Sequence, residues 1–347
     1  MFKPIGTCSS LDRRTALCYH KNSKSKFPIL RGCYSVENLI IAFNCVIPVF
    51  LIICTGTLIR RSEKFPEELF PQLSNMSFLF LLPCMLFHGV YTTDLSVSFD
   101  PELILFQAVF LLIWYLIGFV LATRFIPDHR ARGAIIQTIY RSNIAIVGLS
   151  MAGSMMGDSG VATMSMSIAV LVPIYNILAV ITLEVCRGGK VQLRPTLVGI
   201  AKNPLLISCL LGIVFLLLGI HIPAPILKAI NQIGNAGSVV TLLTLGASFQ
   251  LSGVFKNWKK LVFANLLRLV ITPFVTLAVA FLLGFRGNAL GVILLCNSPS
   301  LATTAYPMAM ARDSDHELTG QIVVTTSFFC CITMFLWIFT LKQLGLV

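Results

Sequence analysis

Two arginines of this sequence lie inside long apolar runs. Arg141 belongs to the run 134–156 and Arg268 to the run 259–284. An unpaired arginine at the centre of a bilayer costs about 2.5–3.5 kcal/mol on insertion scales, and few acids lie deep enough here to neutralise either residue. A buried guanidinium without a partner suits an anionic ligand, above all a carboxylate that accepts two parallel hydrogen bonds. The alternative, that both side chains extend to the membrane surface, stays open.

Small polar residues and prolines interrupt two of the apolar runs, the one that contains Arg141 and the run 288–311. Proline removes a helical hydrogen bond and disfavours helix in the residue before it, and small polar side chains offer the backbone other partners. Broken helices at mid-membrane are where many transporters bind their substrates, although ordinary kinks at helix contacts would look similar. The residues expected to bind substrate are Arg141, Ser142, Asn143, Asn297, Pro299, Ser300 and Arg268.

Helices of membrane-spanning length must position these residues. About 20 apolar residues cross the hydrocarbon of a bilayer as a helix, because the backbone polar groups can only be paired within the segment. The sequence therefore predicts an all-α polytopic membrane protein with ten transmembrane helices. The apolar segments are 38–59, 68–91, 103–123, 134–156, 160–184, 204–220, 224–251, 259–284, 288–311 and 318–341.

Composition supports a membrane location and argues against nucleic-acid binding. Apolar residues make up 56% of the chain and charged residues only 12%, and the mean hydropathy is +0.86. A soluble fold could not cover so much apolar surface with so few charges. The net charge of +12 is spread over short clusters between the apolar runs, which is the pattern of membrane topology and not of a nucleic-acid surface.

The basic residues also predict an orientation. Most Lys and Arg residues between the segments follow the odd-numbered ones, whereas the opposite loops and the carboxyl end hold only Lys228, Arg286 and Lys342. The positive-inside rule places the odd-numbered loops in the cytoplasm and both termini outside the cell membrane. The basic segment 1–35 conflicts with this orientation, so we expect it to be a disordered tail or an extension that is absent from the mature protein.

The two halves of the sequence resemble each other weakly. A shift of 157 residues aligns 142–158 with 299–315, which pairs the fourth apolar segment with the ninth. Five spans in each half would insert the halves from opposite sides of the membrane, as in many secondary transporters. This pattern predicts a 5+5 inverted repeat with crossed broken helices four and nine. The expected limits are 36–186 for the first repeat, 187–203 for a cytoplasmic linker and 204–347 for the second repeat.

Several segments resemble the auxin efflux carrier family of permeases over residues 36–347. The segment "NLIIAFNCVIPVFLIICTGTLIRRSEKFPEELF" is similar to the family's opening helix, and "LLPCMLF" to its second helix. The segments "RSNIAIVGLSMAG", "AKNPLLISCLLGIVFLLLGIHIPAPI" and "NSPSLATTAYPMAMARDSDHELTGQIVVTTS" resemble its later helices. The resemblance implies crossed fourth and ninth helices, elevator-type alternating access, a homodimer, and carboxylate substrates such as auxin, malonate or malate.

Individual residues refine this resemblance. Asn143 matches the family asparagine of helix four, and Pro299 matches the crossover proline of helix nine. Ser142 and Ser150 stand where plant or other members carry proline, and the loop between spans five and six is short. These departures favour a bacterial dicarboxylate or monocarboxylate permease over a plant auxin carrier.

The sequence therefore predicts a secondary transporter of small organic anions. The alternative is a membrane sensor that binds a lipid or sterol on the same scaffold without transporting it. No HExxH motif, nucleophile elbow or carboxylate pair indicates an enzyme, and no cofactor is expected. Coupling to protons or sodium stays open, because no buried carboxylate cluster marks an ion site but carbonyls of unwound helices can also bind Na⁺.

Overall fold

The computed structural model describes residues 47–48, 50–92, 100–186, 198, 201–249 and 251–347. Within these residues the regular structure is entirely helical, and the predicted tail and most of the predicted linker lie outside them. In chain order the helices are α1 (residues 50–61), α2 (Leu69–Tyr91), α3 (Pro101–Phe125), α4 (His129–Tyr140), α5 (Leu149–Cys186), α6 (Pro204–Leu217), α7 (Ala224–Ser248), α8 (Leu251–Lys256), α9 (Trp258–Leu282), α10 (Gly287–Asn297), α11 (Ala305–Ala311) and α12 (His316–Gln343).

Five helices in the described part of the chain are long and apolar enough to cross a membrane. They are α2, α3, the Met155–Cys186 part of α5, α9 and α12, and each coincides with a predicted segment. The helices α6 and α10 are apolar but shorter. The protein is therefore an all-helical membrane protein with several spans. The full count of ten and the division into two inverted repeats remain predictions.

No loop separates the predicted fourth segment from the fifth. Helix α5 runs through it, and Gly157 alone leaves the helical region, with φ 64° and ψ −154°. Glycine reaches this conformation without the steric cost that a side chain would add. A single residue therefore reorients the chain at this point.

The apolar residues of the helices form two groups, one buried inside the protein and one exposed on its outer surface. Residues Ala134–Tyr140 of α4 and Leu290–Cys296 of α10 are buried inside the protein. On α3, by contrast, Leu105, Leu116 and Val120 are 62–65% exposed. A soluble protein would avoid such an exposed apolar face, but in a bilayer it contacts lipid. The buried helices α4 and α10 end at Tyr140 and Asn297, next to the candidate site.

Small residues bring α7 close to both α1 and α2. A Cβ atom on Gly246 would collide with the carbonyl group of Ile53 in α1, and one on Gly237 would lie 3.0 Å from a backbone carbon of α2. Such close approach is typical of helix contacts in membranes, where packing replaces the hydrophobic effect. These contacts hold α2 in place, and Met85 of that helix faces the site described next.

Candidate functional site

Two interrupted helices meet inside the protein. Helix α4 ends at Tyr140, and the chain turns helical again at Ile144, where a π-helical turn leads into α5. The second interruption spans residues 298–304, between α10 and α11. The backbone N–H of Asn143 donates to the carbonyl oxygen of Ser300 at 2.9 Å, so the two interruptions are in direct contact. The expectation that both segments are broken is confirmed.

Local sequence explains both interruptions. Pro299 has no N–H group, so the hydrogen-bond ladder of α10 cannot continue past Ser298, which still has helical angles of φ −96° and ψ −21°. Asn143 adopts φ −82° and ψ 57°, and its carbonyl oxygen accepts hydrogen bonds from Val147 and Gly148 at the start of the next helix. The backbone groups that leave the helical ladder thus find new partners, which a low-dielectric interior requires.

Arg141 lies at the first interruption and is only 2% exposed. Its guanidinium donates to side-chain oxygens of Gln137 at 2.9 Å, Asn176 at 3.0 Å and Thr304 at 2.7 Å. It also lies 3.0 Å from the sulfur of Met308. All four partners are neutral, and among the described residues no carboxylate forms an ion pair with Arg141. Its positive charge is therefore hydrogen-bonded but not neutralised.

Arg268 approaches the same crossing from α9 and is fully buried. Its Nε donates to the carbonyl oxygen of Pro299 at 2.9 Å, and one terminal nitrogen donates to that of Ile139 at 3.2 Å. The other terminal nitrogen has no partner among the described residues. The two carbonyls lie near the carboxyl ends of α4 and α10, where the helix dipole favours a cation. Arg268 thus joins the two interrupted helices.

A small cavity lies beside Arg141. Its volume is about 50 Å³, room for a few water molecules and less than an organic acid needs. Both halves of the sequence contribute to its wall, and Met85 and Leu86 of α2 close one side. The other lining residues are Arg141, Ser142, Asn143, Ile144, Ala145, Ile146, Val172, Tyr175, Asn176, Ala302, Thr303 and Thr304.

Three of the sequence-predicted site residues, Arg141, Ser142 and Asn143, line this cavity together. The hydroxyl of Ser142 is buried without a hydrogen-bond partner among the described residues. Pro299 and Ser300 contribute backbone carbonyls to the crossing instead. The side chain of Asn297 donates to the carbonyl of Ile293 within its own helix at 2.9 Å.

Sequence reasoning did not single out Gln137, Asn176 and Thr304 as partners of Arg141. Gln137 stands four residues before Arg141 on the same helix, a spacing that brings two side chains together. Asn176 and Thr304 lie 35 and 163 residues from Arg141 in the sequence, so no local spacing predicts their contacts with it. Their convergence on Arg141 depends on tertiary structure that the pattern does not encode.

A larger cavity of about 930 Å³ opens between α1 and α7 on one side and α11 and α12 on the other. Its wall is mixed, with Arg60, His316 and Glu317 near apolar residues such as Phe50. The predicted topology places it at the cytoplasmic side. Both pairs of helices contribute to its wall, so it lies at the boundary between α1 and α7 and the elements next to the crossing.

Comparisons with known proteins agree with this architecture. A family model described as membrane transport protein matches residues 41–196 and 191–338, nearly the whole chain. An uncharacterized transporter of Methanocaldococcus jannaschii is 23% identical over 312 residues, which cover 86% of this chain and 98% of the relative. The uncharacterized transporter YfdV of Escherichia coli is 22% identical over 304 residues, which cover 85% and 96%. The chain therefore belongs to the membrane transport protein family that contains the auxin efflux carriers, and the resemblance seen in its sequence is confirmed.

Proposed function

We propose that this protein is a secondary transporter of small organic anions, mono- or dicarboxylates such as malonate, malate or auxin-like acids, in the cell membrane. The observation that carries the proposal is the buried guanidinium of Arg141, whose partners among the described residues are all neutral and which lines a cavity at the crossing of two interrupted helices. Family membership supports a transport function, and the charge of Arg141 supports an anionic substrate.

The chemistry of Arg141 favours a carboxylate as the ligand. Hydrogen bonds to charged groups are stronger than those between neutral groups, and a guanidinium can hold both oxygens of one carboxylate. Asn176 and Thr304 hold their acceptor oxygens on side chains, so either one can turn away and leave a donor free for the substrate. The helix that begins at Ile144 has no side-chain cap, so its first N–H groups add positive potential at the same place.

Access to this site requires movement, since the cavity beside Arg141 is too small for the proposed substrates. We propose elevator-type alternating access, in which α1, α2, α6 and α7 stay fixed while the crossing moves with the helices around it. The glycine contacts between α7 and its neighbours support a rigid frame. The large cavity between α7 and α12 supplies space on one side of the moving elements.

The predicted site residues then have two roles. Arg141, Ser142 and Asn143 would contact the substrate directly. Arg268 would hold the two interruptions in register through the carbonyls of Pro299 and Ile139. A direct contact between substrate and Arg268 or Asn297 remains a prediction, as do coupling to protons or sodium, a homodimer and the outward location of both termini.

Flux measurements in proteoliposomes test the proposal. The purified protein is assayed with labelled malonate, malate, lactate and indole acetate, under imposed proton and sodium gradients. We expect flux of at least one acid, and a loss of about tenfold or more in Arg141→Gln because one charge-assisted hydrogen bond is worth about 1.5–3 kcal/mol. The control is Arg286→Gln, which removes an exposed arginine whose guanidinium, in the described part of the chain, donates to the backbone carbonyls of Phe281 and Phe285 and lies over the Phe281 ring.

Two outcomes would contradict the proposal. Equal flux in wild type and in folded Arg141→Gln would show that Arg141 does not bind the substrate. Binding of an acid, lipid or sterol without flux of any acid would favour the sensor over the transporter.

A further inference from the structure

A basic pocket of about 550 Å³ lies where α9 begins, beside the end of α3. Three lysines and no carboxylate line it, and none of the three forms an ion pair with a described residue. The loop that carries them is predicted to be cytoplasmic, so the pocket lies at a membrane surface. Its lining residues are Phe125, Ile126, Pro127, Lys256, Asn257, Trp258, Lys259, Lys260 and Phe263.

An apolar groove of about 410 Å³ continues from this pocket between α9 and α12. Trp258 belongs to the wall of both the pocket and the groove. The α9 side of the groove extends from Trp258 to Val270, about 18 Å at the helical rise of 1.5 Å per residue. The groove is lined by Val254, Trp258, Leu261, Val262, Asn265, Leu266, Leu269, Val270, Thr325, Phe329 and Thr333.

The spacing of these residues shows that the groove follows two helix faces. On α9 they recur three or four residues apart, which places them on one side of the helix. On α12 Thr325, Phe329 and Thr333 are each four residues apart and form the opposite wall. The groove therefore runs along the helices into the membrane, as an acyl chain does.

We propose that the pocket and the groove form one binding site for an anionic phospholipid. The phosphate would lie among Lys256, Lys259 and Lys260, and one acyl chain would lie in the groove below. Basic pockets between helices at the cytoplasmic surface attract anionic lipid headgroups, and each nearby lysine contributes about 1 kcal/mol. A free phosphate would use the lysines but leave the apolar groove empty, so the continuity of the two favours a lipid.

Two further contacts support the headgroup position. The ammonium of Lys259 lies 5.7 Å from the ring centroid of Trp258, so a cation stands over the residue that the pocket and the groove share. Among the described residues no side-chain oxygen caps the amino end of α9, where the side-chain NH₂ of Asn257 donates to the side-chain oxygen of Gln321 at 3.0 Å. The first N–H groups of this helix therefore add positive potential beside the lysines.

Quenching of Trp258 fluorescence tests the site. The purified protein is placed in vesicles of phosphatidylcholine and phosphatidylglycerol, with dibrominated acyl chains on one lipid or the other. The difference between wild type and Trp258→Phe isolates the signal of Trp258. We expect phosphatidylglycerol to bind more tightly, and its preference to fall about fivefold for each lysine removed in Lys256→Gln/Lys259→Gln.

The matched control is Arg61→Gln/Lys64→Gln, which removes the same charge from another predicted cytoplasmic loop and should leave the preference unchanged. Equal binding of the two lipids in wild type, or equal losses in both double variants, would overturn the proposal. Millimolar inorganic phosphate should not displace the lipid. If it does so at constant vesicle charge, the pocket binds phosphate and not a phospholipid.

Discussion

The two buried arginines of the crossing differ in the kind of acceptor they contact. Arg141 donates to side chains and borders a cavity, whereas Arg268 donates to backbone carbonyls and does not line that cavity. Side-chain acceptors can rotate toward other partners at little cost. Backbone carbonyls that have left a helix have no such freedom, and they need a donor in the low-dielectric interior.

Arg141 is therefore suited to exchange hydrogen-bond partners, whereas Arg268 is suited to a structural role. A substrate carboxylate can replace Asn176 or Thr304 at Arg141 and leave each side chain to find another partner. At Arg268, a ligand that replaced the carbonyls of Pro299 and Ile139 would remove a link between the two interruptions and leave the hydrogen bond from Asn143 to Ser300. Both residues are arginines and both are buried, so their different hydrogen-bond acceptors account for the difference.

The largest expected effect of this difference is on stability. Arg268→Gln should lower the thermal unfolding midpoint in detergent more than Arg141→Gln does. A buried polar group without a partner costs about 1–3 kcal/mol, and two carbonyls lose their donor in Arg268→Gln. In Arg141→Gln the side chains of Gln137, Asn176 and Thr304 can pair with each other or with water in the cavity.

Arg268→Lys serves as the control, because it keeps the charge but cannot reach both carbonyls with the same geometry. Its midpoint should lie between those of wild type and Arg268→Gln. A larger loss of stability in Arg141→Gln than in Arg268→Gln would reverse the roles assigned to the two residues.

A smaller effect is expected at Thr304. Thr304→Val removes the acceptor that lies 2.7 Å from Arg141 while keeping the side-chain shape. If the substrate competes with this hydroxyl, its loss should tighten binding of the transported acid by about threefold to tenfold, the value of one modest hydrogen bond. Equilibrium binding of the labelled acid to the purified protein measures this change.

Thr303→Val is the matched control, since Thr303 lines the same cavity and forms no hydrogen bond with Arg141 in the described structure. Its affinity for the acid should match wild type. Weaker binding in Thr304→Val would mean that Thr304 contacts the substrate and does not compete with it.

The interruptions of the two helices could be predicted from the sequence, because their causes are local. Pro299 and the small polar residues around Asn143 disfavour continuous helix wherever the chain packs. The depth of Arg141 and Arg268 followed from their positions in the apolar runs. These features need no knowledge of neighbouring helices.

The roles of the two arginines could not be separated in this way. Depth gives the cost of burying a charge but not the direction in which the side chain points. The contact of Arg268 with Pro299 joins α9 to the second interruption, and that of Arg141 with Thr304 joins the first interruption to the second. Both are tertiary contacts between segments far apart in sequence, and a single sequence does not specify them.

Binding of the transported acid to Arg141→Gln tests the central claim most directly. The labelled acid with the highest flux is titrated against purified wild type and Arg141→Gln, with folding of both checked by size-exclusion chromatography. We expect the dissociation constant to rise by about tenfold or more, because the variant loses a charge-assisted contact with the carboxylate. An unchanged dissociation constant in the folded variant would contradict the assignment of Arg141 as the anion-binding residue.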